Sequence, residues 1–316
     1  MNSRRTVLLL LLALFGPMSS AIPDEKKEAP PKPVEIPRPD EAAVRRARAT
    51  LVNEDRTKLQ ERFAAVDVAE RRGDKALIDD LFTAAITAID PAFAVYAGEA
   101  ANRIDAVEAT RVYDARSRRL KQLRAAQAIR FLGEVRTKRA IARLVEVAGG
   151  KSGEARVEAL YGLVKQGEPT THAYLAAALK TKDYAVRVPA AICCGLARVE
   201  AAVPLLLRGL EDPKSDYAFF CAWALGQLRD PDLLAKVVAA TKAKMGGDVG
   251  TAKAKAILEC SFDAEAHTDI LIRLTKSSHE SLAGAAAWGL GKIAKGNAEA
   301  ESALLALMNR VRGTPT

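Results

Sequence analysis

The amino-acid sequence predicts an all-α protein, an α-solenoid of stacked helical hairpins, on three observations. Hydrophobic residues make up 49% of the 316 residues, whereas aromatic residues make up only 5%. The apolar content is therefore mostly Ala, Leu and Val, and Ala and Leu favour helices that can pack closely. The second observation is a set of Ala-rich amphipathic segments that recur along the chain. The third is a small residue, usually Gly, near the end of each segment.

Six of these segments align on the small residue, which we call the anchor. They read "AAQAIRFLGEVR", "RVEALYGLVKQG", "PAAICCGLARVE", "FCAWALGQLRDP", "AKAILECSFDAE" and "GAAAWGLGKIAK". The anchors are Gly133, Gly162, Gly195, Gly226, Cys260 and Gly291, at spacings of 29, 33, 31, 34 and 31 residues. Such a period is typical of solenoids, in which each unit buries its apolar face against its neighbours. We expect a small anchor because a large side chain would wedge successive helices apart.

A polar turn and a second amphipathic helix follow each anchor. Clear examples are "EAAVPLLLRGLED" at 200–212 and "AEAHTDILIRLTKS" at 264–277. In the first of these, apolar residues recur at helical spacing. Each repeat is therefore predicted to be a helical hairpin.

These hairpins resemble HEAT repeats of the short variety, whose pattern is roughly "V-R-x-x-A-A-x-A-L-G-x-L-x-D-P-x-A-x-x-x-L-x-x-A-L". The best matches are "YAVRVPAAICCGLARVEAAVPLLLRGLED" at 184–212 and "YAFFCAWALGQLRDPDLLAKVVAATK" at 217–242. The resemblance covers residues 116–312, and the fifth unit departs from it because Cys260 replaces Gly. It implies a solenoid and says almost nothing about activity. Since HEAT-like repeats also occur in lyases that handle bilin chromophores, a lyase-like or accessory enzyme subunit stays an alternative.

The N-terminus predicts export. In "MNSRRTVLLLLLALFGPMSSA", residues 1–21, two Arg precede a short apolar run, a Gly-Pro break and small residues, which is the pattern of a secretory signal peptide cleaved near Ala21. The alternative is an uncleaved anchor, although the run is too short to span a bilayer comfortably. We expect a periplasmic or secreted protein whose mature chain has no transmembrane span.

Two further segments separate the signal from the repeats. Residues 22–40 are rich in Pro and charge and predict a disordered linker. Residues 41–115 predict an irregular helical cap or degenerate repeats. The charged start of this region is predicted to form one long helix or two shorter ones. Further along, "PAFAVYAGEAANRI" loosely resembles "YAFFCAWALGQL".

The sequence contains no recognisable catalytic or metal-binding motif, so we predict a protein that is not an enzyme and has no cofactor. The three His are far apart, whereas a zinc site needs several ligands within tetrahedral reach. The four Cys, at 193, 194, 221 and 260, lie in apolar helical stretches and lack C-x-x-C spacing. They are buried free thiols or form one disulfide between adjacent helices. Trp223 and Trp288 are expected to fill the core.

Positive charge is concentrated in residues 116–143, which carry ten basic side chains and one acidic side chain. We expect Arg136, Arg139 and Arg143, called the basic stripe, to lie on one face of a second helix. Arg116 and Arg119 are the other candidate partner-binding residues. Such a stripe attracts polyanions, but it also fits a merely solvated helix face.

The function predicted from the sequence is an exported, non-enzymatic scaffold that binds a protein partner on its repeat surface. The alternative is a module that binds an acidic glycan, an anionic envelope lipid or an acidic protein through residues 116–143. Nucleic acid is not the expected ligand, because an exported protein rarely meets it and no stacking aromatics are interleaved with the basic residues.

Overall fold

The computed structural model describes residues 37–53, 59–120, 122–150, 153–230, 232–240, 247–260 and 267–312. The signal-peptide prediction and most of the linker prediction lie outside these ranges. Pro39–Thr316 is one compact unit. Its described residues form sixteen α-helices and no strands, which confirms the predicted all-α solenoid. Within the described ranges, every helix is too short or too polar to cross a membrane.

Four helices precede the regular repeats. They are α1 (Glu41–Val52), α2 (Leu59–Arg72), α3 (Leu77–Thr87) and α4 (Pro91–Arg116). Asp40 caps α1 because its Oδ1 accepts the backbone N–H of Ala43 at 2.6 Å. Asn53 has extended backbone and ends α1. The charged start of this region therefore forms two shorter helices, the second of the two alternatives.

Helix α4 is broken in the middle. Asp105 has φ −164° and ψ 104°, which is extended backbone. Its Oδ1 accepts the backbone N–H of Glu108 at 2.9 Å and so caps the second half of α4. In the first half, a Cβ on Gly98 would lie 2.6 Å from the carbonyl oxygen of Phe131. Helix α4 therefore consists of two helical segments, and the first of them lies close to the backbone of Phe131.

Six hairpins follow. Their first helices are α5 (Gln122–Gly133), α7 (Gly153–Gln166), α9 (Tyr184–Leu196), α11 (Ser215–Leu228), α13 (Gly247–Cys260) and α15 (Glu280–Gly291). Their second helices are α6 (Lys138–Ala148), α8 (His172–Ala178), α10 (Val203–Gly209), α12 (Leu233–Ala240), α14 (Thr268–Thr275) and α16 (Ala298–Arg312). Each first helix packs on the next first helix, from α5 to α15, so that the repeats share one continuous core.

The anchors lie where first helices come closest. A Cβ on Gly133 would lie 3.1 Å from the Cα of Gly162, and a Cβ on Gly195 would lie 2.9 Å from the Cα of Ala224. These contacts confirm the expected reason for a small residue at the anchor. Gly291 differs, since no described atom lies within 4 Å of its hypothetical Cβ.

Candidate interaction surface

The four cysteines are free thiols buried in the core, the first of the two alternatives. Burial raises the pKa of Cys194, Cys221 and Cys260 to about 12. The pKa of Cys193 is raised well above its ordinary value for the same reason. Since the thiolate is the nucleophile and metal ligand, these side chains act as small hydrophobic residues.

The three histidines lie on different repeats. His172 begins α8, whereas His267 and His279 precede α14 and α15. Within the described part of the chain, no three His, Cys, Asp or Glu side chains come together as a metal site would require.

Two arginines of the basic stripe share one carboxylate. Arg139 and Arg143 lie one helical turn apart on α6, and both contact Asp114 of α4, at 2.5 and 2.7 Å. The Asp114 side chain is only 11% exposed. Arg143 also contacts Glu146 at 2.7 Å. Two acidic side chains therefore offset much of the charge of the stripe.

The other candidate residues lie outside α6. Arg136 lies before α6, because Thr137 is the N-cap of that helix, so the predicted stripe has only two members on the helix. Arg116 contacts Asp79 at 2.8 Å and lies over the ring of Phe82. Arg119 lies in a short 3-10 turn, and its side chain is outside the described part of the structure.

A different surface shows exposed aromatic side chains on two first helices of the stack. Phe219 of α11 and Trp288 of α15 are 45% and 50% exposed. Between them, α13 presents Lys255 and Glu259, which pair with each other. The Lys255 Nζ lies 5.2 Å from the centre of the Phe219 ring. We call Phe219, Lys255, Glu259, Trp288 and Lys292 the aromatic–cation row.

Lys292 completes this row beside Trp288. Its Nζ lies 3.8 Å from the centre of the indole ring, within the range of a cation–π contact. Partial burial lowers the pKa of Lys292, and the charge of Glu259 opposes that shift. The charge of Glu259 therefore acts on Lys292 as well as on its ion-pair partner Lys255.

The expectation that Trp288 fills the core is wrong. Trp223 and Trp288 occupy the same place, three residues before an anchor, but only Trp223 packs against the core. The Trp223 ring fills the space left by Gly195 on the preceding first helix. For Trp288 the preceding anchor is Cys260 rather than Gly, and the indole lies on the surface.

A match to a known repeat family supports the repeat architecture of the central hairpins. The family model described as HEAT repeats matches residues 173–257, from α8 through α13. Among solved structures, the chain is similar to the crystal structure of an engineered protein with 16% sequence identity and a TM-score of 0.44, covering 84% of this chain and 81% of that one. A search of curated proteins returned no match. The matched segment and the hairpins on either side of it thus form a solenoid with HEAT-like repeats at its centre.

Proposed function

We propose that this protein is an exported, non-enzymatic scaffold that binds a protein partner through the aromatic–cation row. The observation that carries the proposal is the exposure of Phe219 and Trp288 on the two first helices that flank α13 in a regular stack. Aromatic residues are enriched at protein interfaces. Large aromatic anchors also supply most of the binding energy at such interfaces.

The row is held in place before any partner arrives. Phe219 packs edge-on against Phe220, with ring centres 5.4 Å apart. Lys292 lies over Trp288, and Lys255 is fixed by Glu259. Because these side chains are already positioned, a partner loses less conformational entropy when it orders them. Helices carry four of the five side chains, and Lys292 is the C-cap residue of α15.

The observed ion pairs make the basic stripe the weaker candidate. A polyanion-binding surface needs cations whose charge is available to the ligand. Arg139 and Arg143 instead neutralise Asp114, and Arg143 also contacts Glu146. These contacts tie α6 to α4, which gives the two arginines a structural role in joining the first regular repeat to the preceding helices.

Affinity capture with matched variants tests the proposed function. The wild-type chain, a Phe219→Ala/Trp288→Ala variant and a Val107→Ala control are used as bait in envelope extracts. Val107 is 74% exposed on α4, away from the row. We expect the wild type and the control to recover the same protein, and the double variant to lose it. Equal recovery by all three chains would rule out the row as the binding site.

Export is tested separately on the expressed chain. We expect the protein in the envelope or extracellular fraction, with a mass that corresponds to cleavage near Ala21. A cytoplasmic chain of full mass would contradict the export proposal and leave the binding proposal unaffected.

A further inference from the structure

The four buried cysteines restrict how the chain can reach an oxidising compartment. They lie on α9, α11 and α13, and each is at most 2% exposed. The periplasm and the extracellular space favour disulfide formation, whereas the cytoplasm keeps thiols reduced. A chain that entered such a compartment unfolded would expose all four thiols to oxidants at once. A chain that entered it folded would keep them covered.

The core around Cys221 leaves little space for a modified sulfur. A Cβ added to Gly209, the last residue of α10, would lie only 2.3 Å from the Cys221 Sγ and 3.1 Å from the Tyr217 ring. The sulfur therefore packs directly against the backbone of α10. Because protein cores are close-packed, a second sulfur bonded to this Sγ would need space that the folded chain does not offer. The folded core thus requires this thiol in its reduced form.

The folded chain also protects its thiols chemically. Burial raises the pKa of Cys194, Cys221 and Cys260 to about 12. At neutral pH these side chains are therefore thiols, whereas the thiolate is the form that attacks a disulfide oxidant. A chain that has folded in the cytoplasm can enter an oxidising compartment with its cysteines unchanged.

The N-terminal sequence carries a signal that matches this requirement. In "NSRRTVLLLL", two consecutive arginines, Arg4 and Arg5, come shortly before the apolar run. An arginine pair at this place is the mark of twin-arginine signals, which direct proteins to a translocase that carries folded chains. The apolar run is also accepted by the general secretory route, which threads unfolded chains. The arginine pair is therefore the feature that distinguishes the two routes.

We propose that the chain folds before export and crosses the membrane as a folded protein by the twin-arginine route. The proposal rests on the export part of the proposed function and adds the partner at that step, a translocase that recognises Arg4 and Arg5. It does not depend on what binds the aromatic–cation row, because that row lies within the folded repeats.

Conservative replacement of the arginine pair tests the route. The full chain, Arg4→Lys/Arg5→Lys and Arg45→Lys/Arg46→Lys are expressed in a bacterial host that has both routes, and each is followed in cytoplasmic and envelope fractions. Lysine keeps the positive charge that the general secretory route needs, so export by that route would continue. The control changes an exposed arginine pair on α1. We expect wild type and control in the envelope, and Arg4→Lys/Arg5→Lys as a protease-resistant precursor in the cytoplasm.

The outcomes separate the route from export itself. Export of Arg4→Lys/Arg5→Lys at the wild-type level would overturn the inference and leave export intact, whereas a wild type that stays in the cytoplasm would contradict both. The thiols give a second readout. The exported wild type is denatured and alkylated, and its mass should show four modified cysteines. A disulfide among them would overturn folding before export.

Discussion

Gly226 of α11 lies directly against Glu259 of α13. A Cβ on Gly226 would lie 2.4 Å from the Cβ of Glu259 and 3.0 Å from its carbonyl carbon and oxygen. The absence of a side chain at one anchor thus allows the next first helix to approach. It also positions Glu259, whose carboxylate holds Lys255 in the aromatic–cation row. Architecture and candidate binding surface therefore depend on the same close contact.

Gly226→Ala should destabilise the fold. The added methyl group would overlap the backbone and Cβ of Glu259, so α11 and α13 must move apart. Overpacking of this kind costs about 1–3 kcal/mol. The matched control is Gly284→Ala on α15, where no described atom lies within 4 Å of the added Cβ. Since Ala favours a helix over Gly, the control should gain about 0.5–1 kcal/mol.

Urea unfolding of the wild type and both Gly variants measures this difference. If the free energy of unfolding falls for Gly226→Ala and rises for Gly284→Ala, close packing at the anchor is supported. A loss of stability at Gly284 equal to that at Gly226 would mean that the packing at Gly226 is not responsible.

Asp114→Asn should destabilise the junction between α4 and α6. The substitution removes the charge that holds Arg139 and Arg143, and the loss of such partly buried bonds costs about 1–3 kcal/mol. Glu146→Gln is the control, because Glu146 is an exposed partner of Arg143 alone, and its loss should cost about 0–1 kcal/mol. Thermal unfolding of both variants gives the comparison. If the two variants lose the same amount of stability, the carboxylate that Arg139 and Arg143 share does not stabilise the junction more than an exposed ion pair does.

The same Asp114→Asn variant should bind a heparin column more strongly than the wild type. Arg139 and Arg143 would no longer be neutralised, so more positive charge would face the polymer. The salt concentration at elution measures this change. Unchanged elution would mean that the ion pairs do not limit polyanion binding.

Stability should decrease in alkaline solution because of the buried thiols. Burial raises the pKa of Cys194 and Cys221 from the ordinary 9.0 to about 12. Above pH 9.0 the unfolded chain loses these protons while the folded chain retains them, so the free energy of unfolding falls as the pH rises toward 12. Below that window the thiols contribute no pH dependence.

The loss of stability in alkaline solution is checked by measuring the urea midpoint at pH values below and above the ordinary thiol pKa. Cys194→Ala should show a shallower decline than the wild type, because one titrating group is removed. A stability that is constant or rises over the alkaline range would contradict the buried, protonated state of these thiols.

The solenoid was predictable from the sequence because its main determinant is local and periodic. The anchors recur at a nearly constant interval, and the structure places Gly133 against Gly162. Leu144 and Ala148, four residues apart on α6, are likewise both buried. Such patterns report which side of a helix faces its neighbours, and this is sufficient to define a repeat.

The candidate site was less predictable because it depends on contacts between distant residues. Asp114 precedes Arg139 by 25 residues, and no periodic pattern links them. Trp288 is exposed and Trp223 packs against the core, although the two segments resemble each other in sequence. Charge density in the sequence therefore pointed to residues 116–143, whereas the aromatic–cation row lies on other helices and includes the exposed side chains of Phe219 and Trp288.

Site-specific photo-crosslinking tests the central claim most directly. A photoreactive amino acid is placed at position 219, at position 288 or at the control position 107, and crosslinked proteins from envelope preparations are identified by mass spectrometry. The proposed scaffold function predicts that one protein is captured from both 219 and 288 and is not captured from 107. No capture from 219 and 288, or the same capture from all three positions, would contradict a partner-binding surface on the aromatic–cation row.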